Sequence, residues 1–218
     1  MMLDSYEAFI PEYISKEEFF RFGLEKTIYI PDEKVKVEWK NLKEKVKSNK
    51  PLFMRGVKET VGNQLYFEFY AKVLKNQQVK KDPSNTQSPT KIMEELSGYK
   101  KSKDLRNYQL TSIFGRSKNI LCFNAPWNIV YIPNILDPLM GIDARGDLAK
   151  EYKQAFLEHC HTKFKPYINE FNEMVTNTHF LRETDEYIHS LYDNAMHNRD
   201  AVIKFEASLK EEFAPIKL

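Results

Sequence analysis

The chain has 218 residues, of which 42% are hydrophobic, with 15 Phe and 12 Tyr; this supports one domain with a substantial core and excludes a disordered tail. A formal net charge of +2 hides an asymmetry: residues 72–118 hold eleven Lys or Arg against four acids, and residues 119–218 hold ten against fifteen. No apolar run approaches the roughly 20 residues of a spanning helix, the start "MMLDSYEAFIPEY" lacks a signal-peptide pattern, and Cys122 and Cys160 form no CxxC pair, so the expectation is a soluble, cytoplasmic protein with two buried free thiols.

In chain order, "SKEEFFRFGL" opens with Ser15 and Glu18 in capping-box spacing and predicts a helix. "PDEKVKVEWKNLKEKV" predicts another, with Pro31 near its start and Val35, Trp39, Leu42 and Val46 on one stripe. "PLFMRG" is a short strand ending at Gly56, and "NQLYFEFYAKVL" repeats Leu65, Phe69 and Val73 every four residues, with Tyr66, Tyr70 and Leu74 alongside. Residues 76–88 read as loop, with Asp82-Pro83 and Ser84-Asn85 as turn signals. Ser88 is expected to cap a helix that starts at Pro89 and stops at Gly98.

Residues 108–114 and 127–132, rich in aromatic and β-branched side chains, predict a β-hairpin whose connection includes Gly115 to Asn119. From Asp147 the apolar period changes to four, through Leu148, Tyr152, Phe156 and Cys160, and the helix is expected to stop at Pro166. One or two more helices cover about 184–212. The predicted fold class is α+β, predominantly helical with a small central β element. Within a single domain, 1–107 form a helical, basic N-terminal part, 108–146 the hairpin core and 147–218 a helical C-terminal part.

Phosphate neutralisation dominates nucleic-acid affinity, so the basic middle points to a polyanion. Arg116 and Lys118 in "GRSKN", together with Arg55, Lys80 and Lys81, are the candidate phosphate contacts. The absence of GxxxxGKS and GxGxxG runs argues against a nucleotide-cradling loop.

Three nuclease patterns can be compared. Asp32, Glu38 and Lys40 imitate a PD-(D/E)xK signature, but only five residues separate Asp32 from Glu38, too few for two strands and a turn, and the apolar stripe there says helix. "YQLTSIFGRSKNILCFNAPWNIVYIPNILDPLMG" resembles the strand, loop, strand, helix order of HNH (ββα-metal) endonucleases. That resemblance implies metal-assisted phosphodiester hydrolysis, with Asn128 bracing the loop, Asp137 or Asp143 as metal ligands and Mg²⁺ or Mn²⁺ as cofactor. Where the family's general-base His falls, this chain has Ser112, and no His precedes His159. Arg182 and His189 resemble the Arg–His element of HEPN-type RNases, which work without metal, and His189, Asp193 and His197 share one predicted helix face.

The resulting expectation is a nucleic-acid-acting protein, DNA favoured over RNA, with a restriction-type or HNH-like endonuclease centred on residues 108–147. A non-catalytic nucleic-acid- or protein-binding module is the competing class. In the plainest alternative Asn128 only satisfies backbone groups and Trp127 only fills the core.

Overall fold

A computed structural model describes residues 5–58, 60–141, 144–194 and 198–218. Helices α1 (Ser5–Tyr13), α2 (Lys16–Lys26) and α3 (Asp32–Lys47) lead into strand β1 (Leu52–Met54), helix α4 (Thr60–Lys72) and strand β2 (Val79–Lys81). Helices α5 (Gln87–Ser97) and α6 (Lys101–Asp104) precede β3 (Tyr108–Ser112), α7 (Ile120–Phe123) and β4 (Ile129–Pro133). After a 3₁₀ turn and the short α8 (Asp137–Met140), the chain ends in α9 (Asp147–Val175), α10 (Thr178–Asp193) and α11 (Arg199–Glu212). The fold is α+β and mostly helical, with two two-stranded sheets, β1–β2 parallel and β3–β4 antiparallel.

Local chemistry accounts for most boundaries. Ser15 Oγ accepts the Glu18 N–H at 3.1 Å and starts α2. The stripe Val35, Trp39, Leu42 and Val46 is buried along α3, and Trp39 meets Trp127 edge to face at 5.4 Å. Gly98, with φ of 83°, ends α5 in the left-handed conformation that favours glycine. The buried side chains form one cluster running from Ile10 to Ile216.

Three boundaries differ from the sequence reading. The segment 76–88 contains β2, paired in parallel with β1 from Leu52↔Val79 to Met54↔Lys81; a three-residue strand is too short to show an alternation. Helix α5 begins at Gln87 because buried Asp82, rather than Ser88, acts as its cap. Asp82 accepts the Gln87 and Ser88 N–H groups at 3.0 and 2.7 Å, and Pro89 stands one position further in, still within the turn where an N–H has no helical partner. Helix α9 continues through Pro166 for 29 residues, about 44 Å at 1.5 Å per residue. Thr162, whose carbonyl loses its helical donor, and Pro166 are both exposed, so water can take the donor's place.

The hairpin is also modified. Strands β3 and β4 pair from Tyr108↔Pro133 to Ser112↔Ile129, and their connection includes Gly115 to Asn119 as expected, within a long loop that also contains α7. On the other side of β4, Ile28 exchanges two backbone hydrogen bonds with Tyr131. All five residues of β4 are buried. Among the described residues no helix is long and apolar enough to cross a membrane.

Helix α2 packs closely on α9 at Gly23, where a Cβ would lie 2.1 Å from the Tyr152 hydroxyl. That hydroxyl is buried and has no hydrogen-bond partner. Gly23→Ala should therefore destabilise the protein by about 1–3 kcal/mol through overpacking, read from urea denaturation midpoints. Tyr152→Phe should be tolerated alone and should recover part of that loss in the double variant.

Candidate functional site

The loop between β3 and β4 is organised by one side chain. Asn128, fully buried, accepts the Phe114 N–H at 2.8 Å. Its amide nitrogen faces Ser112 Oγ at 3.1 Å, the Gly115 carbonyl at 3.1 Å and the Cys122 carbonyl at 2.9 Å. Both ends of the loop and α7 are thereby tied to the first residue before β4. The amide hydrogens are spent on these three acceptors, so the Asn128 side chain braces the loop.

Ser112 ends β3 in an exposed position, and its hydroxyl donates to the Gly115 carbonyl at 2.9 Å. Asp137 begins α8 and accepts Gln109 Nε2 at 2.6 Å. Gln109 precedes Ser112 by three residues on β3, about 10 Å along the strand, so Asp137 stands at the far end of the ladder from Ser112. Asp143 and His197 lie outside the described residues. Among those described, no group of three His, Cys, Asp or Glu side chains is placed to hold a metal ion.

Two of the predicted phosphate contacts have protein partners. Arg116, at φ of 57°, donates to the Glu211 carbonyl at 2.6 Å and the Pro215 carbonyl at 3.3 Å. It caps the end of α11, where helix carbonyls lack intrahelical donors. The Lys118 ammonium donates to Ser208 Oγ and pairs with Glu212 at 3.6 Å. Glu212 is buried and accepts the Lys118 and Asn119 N–H groups at 3.0 and 3.2 Å, while Asn119 Nδ2 returns a bond to the Glu212 carbonyl at 2.9 Å. Burial raises the Glu212 carboxyl above its ordinary range, against the opposing pull of Lys118 and the two N–H groups. The "GRSKN" segment is thus a lock between the β3–β4 loop and the C-terminal helix.

Arg55, Lys80 and Lys81 have a different setting. All three are exposed. Arg55 sits just beyond β1, its N–H donating to the Ser117 carbonyl at 3.0 Å. Its side chain edges a cleft with Thr86, Thr111, Ser112 and Ser117, a set of hydroxyls that the sequence reading did not assemble because they come from three separate segments. Lys80 and Lys81 follow on β2, and the Lys81 stem crosses directly over Gly56, where a Cβ would meet it at 2.3 Å.

The remaining patterns do not converge. Asp32, Glu38 and Lys40 all lie on α3, where Asp32 accepts the Tyr167 hydroxyl at 2.9 Å and Glu38 pairs with Lys45 at 2.9 Å. A helix cannot supply the paired strands of a PD-(D/E)xK site. Arg182 and His189 lie two turns apart on α10, about 10 Å along the axis. Arg182 contacts His179 at 3.0 Å and stands 3.7 Å from both Glu183 and Glu186.

The family described as "Uncharacterised protein PM1201" matches residues 30–218. A protein of Pasteurella multocida (strain Pm70), "Uncharacterized protein PM1201", is 38% identical over 175 residues, 79% of this chain and 79% of its own length. No solved structure matches the chain. The matched region contains the brace, the cleft and the lock, while α1 and α2 precede it.

Removing the brace leaves the Phe114 N–H and the buried Cys122 carbonyl without their side-chain partner, so Asn128→Ala should cost about 2–3 kcal/mol in urea denaturation. Glu212 predicts a pH dependence. Its folded pKa is raised, so its contribution to stability is greatest below the unfolded value and declines as pH rises through the raised one. Wild type should therefore lose stability relative to Glu212→Gln across that interval, measured as the difference in urea midpoints against pH.

Proposed function

We propose that this chain, which belongs to the PM1201 family, is a nucleic-acid-binding protein that holds a phosphate backbone in the cleft beside Ser112. The observation that carries the reading is the grouping of exposed Arg55 with the hydroxyl residues Thr86, Thr111, Ser112 and Ser117 in one cleft, with exposed Lys81 packed over the neighbouring Gly56 and Lys80 preceding it on β2. Hydroxyls and cations together are the usual donors to phosphate oxygens, and such contacts position a strand without reading its sequence.

The strand, loop, strand, helix order and the bracing Asn128 support a kinship of architecture with HNH endonucleases. The chemistry at the corresponding place differs. A serine hydroxyl does not act as a general base near neutral pH as imidazole does, and here it is already donating to Gly115. In this reading Ser112 helps to line the cleft while Arg55 holds the phosphate, and the cleft binds rather than cuts. Hydrolysis is the second reading, favoured only by the resemblance.

Fluorescence anisotropy with labelled duplex DNA, single-stranded DNA and RNA at several salt concentrations tests the proposal. Arg55→Ala, and Lys80→Ala with Lys81→Ala, should weaken binding and lower the slope of log affinity against log salt by about one per lost contact. Arg116→Ala should instead lower the unfolding midpoint, because its guanidinium serves the α11 carbonyls. Absence of binding to all three at low salt would overturn the proposal. Cleavage in the presence of Mg²⁺ or Mn²⁺ that is lost in Asp137→Ala would replace it with the hydrolytic reading.

A further inference from the structure

The two segments joined by the Arg55–Ser117 contact also border a second cavity. Chain 55–58 passes from Arg55 to Lys58, and chain 117–118 from Ser117 to Lys118; Lys58 and Lys118 then face a pocket of about 250 Å³ between α4 and α11. Lys204 on α11 lines it too, and Tyr66, Phe205 and Ser208 contribute to its walls. Among the described residues, no carboxylate lines the pocket. Lys58 and Lys204 are exposed, and neither has an ion-pair partner among the described residues. Glu212 lies behind Lys118 and offsets part of that one charge alone.

The polar centre of the pocket is already ordered. Ser208 Oγ receives the Lys118 ammonium and lies 2.8 Å from the Tyr66 hydroxyl. When Tyr66 donates to it, the serine keeps its own hydrogen as a donor. Three lysines lining one pocket beside the buried rings of Tyr66 and Phe205 create a positive potential that a compact anion relieves. The volume is below the roughly 300–1,000 Å³ typical of drug-sized ligands, which selects a small, highly charged group over a whole nucleoside.

We infer that this pocket binds a doubly charged phosphate group, either a free phosphate compound or the terminal phosphate of a nucleic-acid strand. Lys58, Lys118 and Lys204 supply the charge and Ser208 a directed hydroxyl. Only the strand-end source rests on the proposed function; the anion site itself does not.

Isothermal titration calorimetry with sodium pyrophosphate tests the site, with circular dichroism confirming that each variant is folded. Saturable binding is expected in wild type, weakened about five- to tenfold in Lys58→Ala and in Lys204→Ala and unchanged in Lys153→Ala, an exposed lysine on α9. No saturable binding, or equal binding by Lys58→Ala and Lys204→Ala, would overturn the inference. Anisotropy with one oligonucleotide carrying either a 5′-phosphate or a 5′-hydroxyl then identifies the source. A preference for the phosphorylated form that disappears in Lys204→Ala assigns the pocket to a strand end. Equal binding of the two, with pyrophosphate binding intact, assigns it to a free phosphate compound. Failure to bind either oligonucleotide removes the proposed function, and the pyrophosphate titration alone then decides the pocket.

Discussion

The buried carboxylate of Glu212 is the interaction on which the organisation of the central region depends. It draws two consecutive N–H groups, those of Lys118 and Asn119, onto the end of α11. Asn119 is thereby placed to cap α7 through the Leu121 N–H at 2.9 Å. Arg116 completes the junction from the other side by taking the carbonyls at the helix end. A charge in such a place is unfavourable unless its hydrogen-bonding capacity is used, and here it is used on the segment that precedes α7 and β4.

Asparagine does the same work elsewhere without charge. Asn76 offers its amide to the carbonyls of Val46 and Lys50 at the end of α3, at 3.3 and 3.1 Å. Asn124 joins α7 to β1 through the Phe53 carbonyl at 2.7 Å and receives the Ser88 hydroxyl at 2.9 Å. With two donors and one acceptor on a short, stiff stem, asparagine can satisfy backbone groups that two short sheets cannot pair themselves. The cleft beside Ser112 thus rests on a frame of side-chain-to-backbone bonds more than on sheet hydrogen bonding.

The helices were legible because their signals are local. A capping serine, a four-residue stripe and a left-handed glycine all lie within the element they define, as at Ser15, Val35 to Val46 and Gly98. The pairing of β1 with β2 was not legible, since it depends on a partner 27 residues away and each strand is three residues long. Pro166 misled for a related reason: whether a proline stops a helix depends on which side of it faces water. The candidate site was legible in part. Composition marked the basic middle, and the resemblance pointed to Asn128, whose side chain the fold spends on backbone groups of the loop. Neither could separate Arg116 and Lys118, which are engaged by α11, from Arg55, Lys80 and Lys81, which face solvent, because engagement is decided by residues more than 90 positions downstream.

That separation in the chain has a temporal meaning. Synthesis proceeds from the N-terminus, and native contacts between distant residues must wait for the later partner to exist. Arg116 and Pro215 are 99 positions apart. The loop that shapes the cleft therefore cannot reach its final form while α11 is still being made, although every residue lining the cleft was synthesised long before. A nascent chain would carry the basic segment in an unlocked state, and α11 would bring its conformational freedom to an end.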